Sequence, residues 1–149
     1  MPKMKGEITL KNGLLSILGV AGAFISNIYG GWDAALTTLI IFMAIDYITG
    51  LIVAGVFKRS PKTETGALES KAGLKGLCKK GMVLLVVLVA VRLDLLTGAA
   101  FLKDAAVIAF VANEALSILE NAGLMGITYP QAIKNALDVL QKNTEGGHP

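Results

Sequence analysis

Five ionisable side chains interrupt long apolar stretches of the sequence, and they are the groups best suited to chemistry or ion pairing. They are Asp46, Arg92, Asp94, Glu114 and Glu120. A charge at the centre of a membrane-spanning helix costs roughly 2.5–3.5 kcal/mol when it faces lipid. We therefore expect these groups to face protein, water or one another. Arg92 is the expected counter-ion for Asp46 or Glu114, and the sequence does not choose between the two carboxylates.

Uncharged polar residues accompany the carboxylates. Thr49 and Gly50 follow Asp46, so one helix face carries a carboxylate, a hydroxyl and room for close approach. A second polar stripe covers about a third of a helix circumference at about 100° per residue. It consists of Asn113, Ser117, Glu120 and Asn121, with Glu114 at its border. Such a stripe hydrogen-bonds neighbouring helices or lines water, and both interpretations stay open because one oligomer can use it for both.

The sequence carries no pattern of a catalytic, metal-binding or cofactor-binding site. It lacks a Gly-rich phosphate loop, an HExxH motif and a G-x-S-x-G elbow. Cys78 is the only cysteine, which excludes an intrachain disulfide and a cysteine-based zinc site. The only histidine, His148, lies in a polar tail, where we expect it to be solvated. We therefore predict no enzymatic activity, no metal and no cofactor.

The composition indicates a membrane protein. Hydrophobic residues make up 54% of the 149 residues and charged residues 17%, whereas soluble domains have about 45–50% and about 25%. The mean hydropathy is +0.64. The net charge is +3, but long apolar runs in place of a clustered basic surface argue against a nucleic-acid partner. The length fits one domain, so we predict a single membrane domain over residues 1–149.

Four apolar stretches are each long enough to cross a bilayer, whose core of about 30 Å needs roughly 20 helical residues. Backbone groups in lipid must be satisfied within the segment, which requires helices. We predict an all-α integral membrane protein with about four transmembrane or membrane-embedded helices, at residues 12–32, 34–57, 81–102 and 104–126. The first also fits a partner-packing helix or an in-plane segment. Its preceding lysines resemble those of a signal peptide, which we expect to be retained.

Basic residues concentrate on one side of the predicted membrane. A loop over residues 58–80 holds Lys58, Arg59, Lys62, Lys71, Lys75, Lys79 and Lys80 against only Glu64 and Glu69. If all four segments cross, twelve of the fourteen Lys and Arg residues share this side. The positive-inside rule then predicts a cytoplasmic basic loop and cytoplasmic termini in a multi-pass protein of the bacterial inner membrane. The spacing of Lys71, Lys75 and Lys79 predicts a basic interfacial helix on anionic lipid.

The C-terminal tail predicts a further amphipathic helix over residues 129–143. Thr128 is its expected N-cap, with Gln131 three residues later as in a capping box. Its apolar stripe consists of Ile133, Ala136, Leu137 and Leu140. We expect this stripe to dock on lipid or on the protein itself.

Three short motifs, in order and with similar spacing, resemble those of the toxin-secretion/phage-lysis holin family. The first is Asp46-Tyr47-Ile48-Thr49-Gly50, in a helix that starts near Trp32. The second runs from Leu68 to Lys80, and the third from Asn113 to Gly123. The resemblance covers the chain from about Trp32 to Leu140, and it is specific because three motifs recur together.

The resemblance implies a phage-type holin. Such proteins accumulate in the bacterial inner membrane, oligomerise and permeabilise it at a set time, so that an endolysin, or in some relatives a toxin, reaches the cell wall. The implied partners are the lipid bilayer and further copies of the chain, with an antiholin as an additional candidate and a functional link to an endolysin. Two alternatives remain, an ion or proton channel or transporter subunit using Asp46 and Glu114, and an antiholin that opens nothing.

Overall fold

The computed structural model describes the backbone of residues 2–145 and the side chains of residues 6–142, so His148 lies outside the described residues. Within this range the chain is helical and has no strand, which confirms the all-α prediction. The helices are α1 (Pro2–Ile28), α2 (Ala34–Ile52) with a π-helical turn at Val53–Phe57, α3 (Ser70–Thr97), α4 (Leu102–Leu124) and α5 (Gln131–Glu145).

Two of these helices are long and apolar enough to cross a membrane. They are Gly6–Ile28, with 23 residues, and Ala34–Phe57, with 24. The chain divides into two compact units after Trp32. In the first unit, the apolar side chains of α1 such as Leu10 and Val20 are largely exposed. The crossing of the membrane by α3 and α4 stays a prediction.

A pair of glycines ends α1 four residues before the predicted end. Gly30 and Gly31 have φ values of 75° and 100°, which a helix does not accommodate.

In the second unit, Asp33 caps α2, because its Oδ1 accepts a hydrogen bond from the Leu36 N–H at 2.7 Å. That bond and the Lys103 ammonium lower the pKa of Asp33. The stabilisation from this ionised cap is therefore present above the ordinary aspartate pKa and lost as the pH falls through the lowered one.

The second unit is built around α4, which packs against α2, α3 and α5. Lys103 near the start of α4 forms an ion pair with Asp33 before α2, and Asn121 near its end contacts Asp46 in α2. Because these contacts run in the same order along both helices, α2 and α4 lie parallel. The four-residue turn 98–101, which begins at Gly98 with a φ of 73°, joins α3 to α4, so α3 lies antiparallel to both.

Fully buried apolar side chains form the seam between these helices. They are Leu36 and Leu39 from α2, Val53 from the π-helical turn, Val87 from α3 and Val107 from α4. If lipid surrounds the bundle, this seam gains its stability from van der Waals packing, since lipid is as apolar as the seam itself. The seam therefore sets how the helices fit together, and polar groups on it must find partners within the bundle.

The separate basic interfacial helix predicted before residue 81 is wrong. α3 begins at Ser70 and continues through Gly81 to Thr97 as one helix. A single glycine inside a helix costs only about 1 kcal/mol, and no proline interrupts the hydrogen-bond ladder here. The basic stretch and the third apolar stretch are therefore parts of the same rod, and Lys75, Lys79 and Lys80 project from it at fixed angles.

The tail helix α5 begins at Gln131, so the prediction of Thr128 as its N-cap is wrong. Tyr129 precedes Pro130, and the proline ring disfavours helical geometry at the residue before it. α5 packs against α4, and Leu137 of the predicted apolar stripe is buried. Ile133 from the same stripe stays 45% exposed, so the protein covers only part of this face.

Candidate functional site

One lysine lies between two carboxylates at the centre of the three-helix seam. The Nζ atom of Lys80 in α3 lies 2.8 Å from Oδ2 of Asp46 in α2 and 2.5 Å from Oε2 of Glu114 in α4. The side chains are 12% exposed for Lys80 and 8% for each carboxylate. We call these three residues the ion cluster. It joins all three helices and carries a formal charge of −1.

Asn121 completes the hydrogen bonding of Asp46 from the side opposite Lys80. Its Nδ2 donates to Asp46 Oδ1 at 3.0 Å, to the Asp46 carbonyl at 3.3 Å and to Thr49 Oγ1 at 2.9 Å. A Cβ atom at Gly50 would stand 3.9 Å from this amide, an ordinary contact, so the close approach expected there is not required. Among the described residues, every buried side-chain nitrogen or oxygen has a hydrogen-bond partner.

The cluster lies on the seam because its residues share the seven-residue spacing of the buried side chains. An α-helix returns to nearly the same face after seven residues, with a drift of about 20°. Each helix therefore carries both polar and apolar residues on one line. The lines are Leu39, Asp46 and Val53 in α2 with its π-helical turn, Lys80, Val87 and Asp94 in α3, and Val107, Glu114 and Asn121 in α4.

Arg92 is not the counter-ion of either carboxylate, and that prediction is wrong. Its side chain is exposed, and Lys80 pairs with both acids. Arg92 lies twelve residues beyond Lys80, which is about 18 Å along the helix axis and about a third of a turn around it. Lys80 falls outside the four-residue spacing of Lys71, Lys75 and Lys79. In the sequence, this irregular spacing is the feature that distinguishes Lys80 from the exposed lysines of α3.

The remaining predicted polar residues separate into different environments. Glu114 and Asn121 are buried, Ser117 is half-buried, and Asn113 and Glu120 are exposed. Asp94 lies at the other end of the bundle, where its carboxylate accepts hydrogen bonds from the backbone N–H groups of Leu102 at 3.0 Å and Lys103 at 2.9 Å. Asp94 thus caps α4, and the predicted stripe on α4 is not one continuous face within the protomer.

A cavity of about 540 Å³ adjoins the ion cluster, between α2, α3, α4 and the segment 58–69. The predicted residues that line it are Asp46, Gly50, Lys62, Lys75, Lys79, Lys80, Asn113, Glu114 and Ser117. Lys58, Arg59 and Lys71 do not line it, and Arg59 instead donates to the Leu124 carbonyl at 3.4 Å. Tyr47 of the first motif is a further wall residue that was not predicted from the sequence, and it packs beside Gly73 and Gly76.

The segment over the cavity has a defined backbone. Lys58 ends the π-helical turn with a φ of 52°, and Ser60 N–H donates to the Gly66 carbonyl at 3.0 Å. Gly66 has a φ of 74°, and a Cβ there would lie 2.3 Å from the Lys58 carbonyl oxygen. Only glycine fits this position without a backbone shift. The closed turn holds Lys62 at the rim of the cavity.

The chain is similar in sequence to proteins of several bacteria. An uncharacterized 14.9 kDa protein in the nagH 3' region of Clostridium perfringens is 37% identical over 133 residues, covering 88% of this chain and 92% of that protein. The uncharacterized protein Lmo0128 of Listeria monocytogenes is 36% identical over 132 residues, covering 88% and 86%. No solved structure matches.

Two further findings concern holins directly. A protein of Bacillus phage phi105 named "Probable holin" is 32% identical over 111 residues, covering 74% of this chain and 76% of that protein. Residues 23–142 match the profile of the bacteriophage holin family. The matched range includes the ion cluster, the cavity and nearly all of the second unit. The chain with this lysine-bridged three-helix seam is therefore a membrane protein of the bacteriophage holin family.

Proposed function

We propose that this protein is a holin that oligomerises in the bacterial inner membrane and permeabilises it at a timed point. The opening would let an endolysin, or a toxin, cross to the cell wall. Family membership over most of the chain and similarity to a probable phage holin support a holin role. The proposed partners are other copies of the chain, the bilayer and an antiholin, with an endolysin as the functional partner.

The ion cluster is the observation that carries a physical mechanism. In the protomer, Asp46, Lys80 and Glu114 satisfy one another away from lipid. When helices of neighbouring protomers part around water, the same groups become hydrated, and the cost of burying charge disappears. A charged seam therefore favours the water-filled assembly more than an apolar seam of the same shape would. The exposed Asn113 and Glu120 offer further polar groups for such a lumen.

We further propose that all four of the helices α1 to α4 cross the membrane and that both termini are cytoplasmic. The concentration of Lys and Arg in the N-terminal part of α1, in residues 58–80 and in the tail supports this orientation. Asp46 and Glu114 each lie twelve residues after the first residue of their helix, so they share one depth in the parallel pair. The cavity then faces the cytoplasmic side of this layer.

The cavity gives the channel or transporter alternative its own support. Its inner end includes the two carboxylates and the lysine of the ion cluster, a set that suits a path for protons or small cations. An antiholin would oligomerise with a holin but would open nothing. The three functions therefore differ in what crosses the membrane, and a measurement of permeability separates them.

Expression of the chain in a bacterium together with an endolysin that lacks a secretion signal is expected to cause abrupt depolarisation followed by lysis. The measurements are a potential-sensitive dye, culture turbidity and release of a cytoplasmic protein marker. Expression of the endolysin alone is the matched control and should leave turbidity unchanged. Depolarisation without marker release would support the channel, and delayed lysis by a co-expressed holin would support the antiholin.

A further inference from the structure

The rim of the cavity carries a net positive charge, with three lysines against one glutamate. Lys62, Lys75 and Lys79 line the cavity with exposed side chains, and none takes part in an ion pair among the described residues. Glu69 is the only other charged residue at the rim. The ion cluster at the inner end uses Lys80 completely and keeps a formal charge of −1. The lysines therefore attract an anion to the rim, and the negative ion cluster repels it from the inner end.

Part of the cavity wall is apolar. Leu51 from α2, Ala54 from the π-helical turn and Val83 from α3 line the cavity together with the lysines. Leu68 lines it from the segment 58–69 and remains 55% exposed. A ligand that matches both parts must carry a negative charge at one end and apolar groups next to it. Free phosphate would satisfy the lysines but leave the apolar wall in water.

The position of the cavity favours a ligand from the bilayer. Lys75 and Lys79 lie in the first three turns of α3, immediately before its apolar part, where a spanning helix leaves the hydrocarbon core. Exposed apolar residues Leu74 and Leu77 alternate with these lysines along α3, as expected at a lipid headgroup layer. Basic pockets between membrane helices on the cytoplasmic side bind anionic phospholipid headgroups. An acidic protein segment would lack the apolar part that the wall requires.

We propose that this cavity binds the phosphate of an anionic phospholipid from the cytoplasmic leaflet, with Lys62, Lys75 and Lys79 around the phosphate and the glycerol region against Leu51 and Leu68. The binding site is discrete and differs from a general attraction of the basic loop to the membrane. It requires that the chain lies in a bilayer, but it does not depend on pore formation. Binding is therefore measurable on purified protein, and its absence leaves the proposed holin function untouched.

The test uses purified full-length chain in neutral detergent, titrated with phosphatidylglycerol or with phosphatidylcholine, with bound lipid counted by native mass spectrometry. We expect saturable binding of phosphatidylglycerol and at least about tenfold weaker binding of phosphatidylcholine. Lys75→Gln combined with Lys79→Gln should weaken phosphatidylglycerol binding about tenfold or more, since each cation near an anionic lipid contributes about a factor of five. Circular dichroism checks that this double variant and the control variant described below are folded.

Lys58→Gln combined with Lys71→Gln is the matched control. It removes the same charge from the same basic region, but neither residue lines the cavity. We expect it to change binding by less than about threefold. Equal losses in the two double variants would overturn the discrete site in favour of general surface attraction. Displacement of the lipid by an equal concentration of inorganic phosphate or of an acidic peptide would overturn the assignment to a lipid.

Discussion

Lys80→Met is expected to lower the free energy of unfolding more than any other single substitution of a charged residue in the second unit. The substitution keeps an unbranched chain of similar length but leaves Asp46 and Glu114 buried together without a cation. Removing one partner of a buried ion pair costs about 3–5 kcal/mol. Denaturant unfolding in detergent, followed by circular dichroism, measures the loss, and the amount of protein in the membrane fraction should fall with it.

Two variants distinguish this effect from a general loss of charge. Lys71→Met removes an exposed lysine from the same helix and should leave the free energy of unfolding nearly unchanged. Lys80→Met combined with Asp46→Asn and Glu114→Gln removes all three charges together and should recover most of the loss, because no unpaired ion remains. If Lys80→Met unfolded at the same denaturant concentration as the wild type, the ion cluster would not hold the helices together.

Asn121→Ala is expected to produce the second largest loss, about 1–3 kcal/mol. The substitution removes the amide that donates to Asp46 and Thr49 and leaves Asp46 Oδ1 without this donor in a buried position. Because these bonds connect α4 to α2, the expected structural result is a looser contact between the two parallel helices. The same unfolding measurement, together with hydrogen exchange of the α2 backbone amides, reports both effects.

Asn113→Ala on the same helix is the control for Asn121→Ala. Both residues are asparagines in α4, but Asn113 is exposed, whereas Asn121 is 7% exposed. We expect the control to change the free energy of unfolding by less than about 0.5 kcal/mol, as is usual for surface substitutions. Equal losses for the two variants would show that helix propensity, and not the contact with α2, determines the result.

Apolar runs predict where a helix can face lipid but not where the helix begins. The structure extends α1 back to Pro2 and α3 back to Ser70, well before their apolar runs. Charged residues such as Lys75 and Lys79 are compatible with helices, so polarity alone does not end one. Backbone geometry sets where a helix begins and ends. α1 ends just before a glycine pair, and α5 begins only after Pro130. The bounds of α2 with its π-helical turn, 34–57, coincide with the predicted stretch because a capping Asp33 and a left-handed Lys58 enclose it.

The need for a partner of Asp46 and Glu114 could be predicted, whereas the identity of that partner could not be deduced from the apolar runs. Choosing between Lys80 and Arg92 requires the depth and rotation of α3 relative to its neighbours. The seven-residue spacing of Lys80, Val87 and Asp94 contains part of that information, since it puts Lys80 on the packed face. Predicting the cavity would require more information, because the fold of segment 58–69 depends on Gly66 and on contacts far apart in sequence.

A holin differs from a small-solute channel most directly in the size of what it lets through a membrane. Purified chain would be added to vesicles of phosphatidylethanolamine and phosphatidylglycerol that contain both a small dye and a protein the size of an endolysin. We predict that both are released, with a steep dependence on the amount of protein in the membrane. Release of the dye with complete retention of the protein would contradict the holin function and identify a small-solute channel.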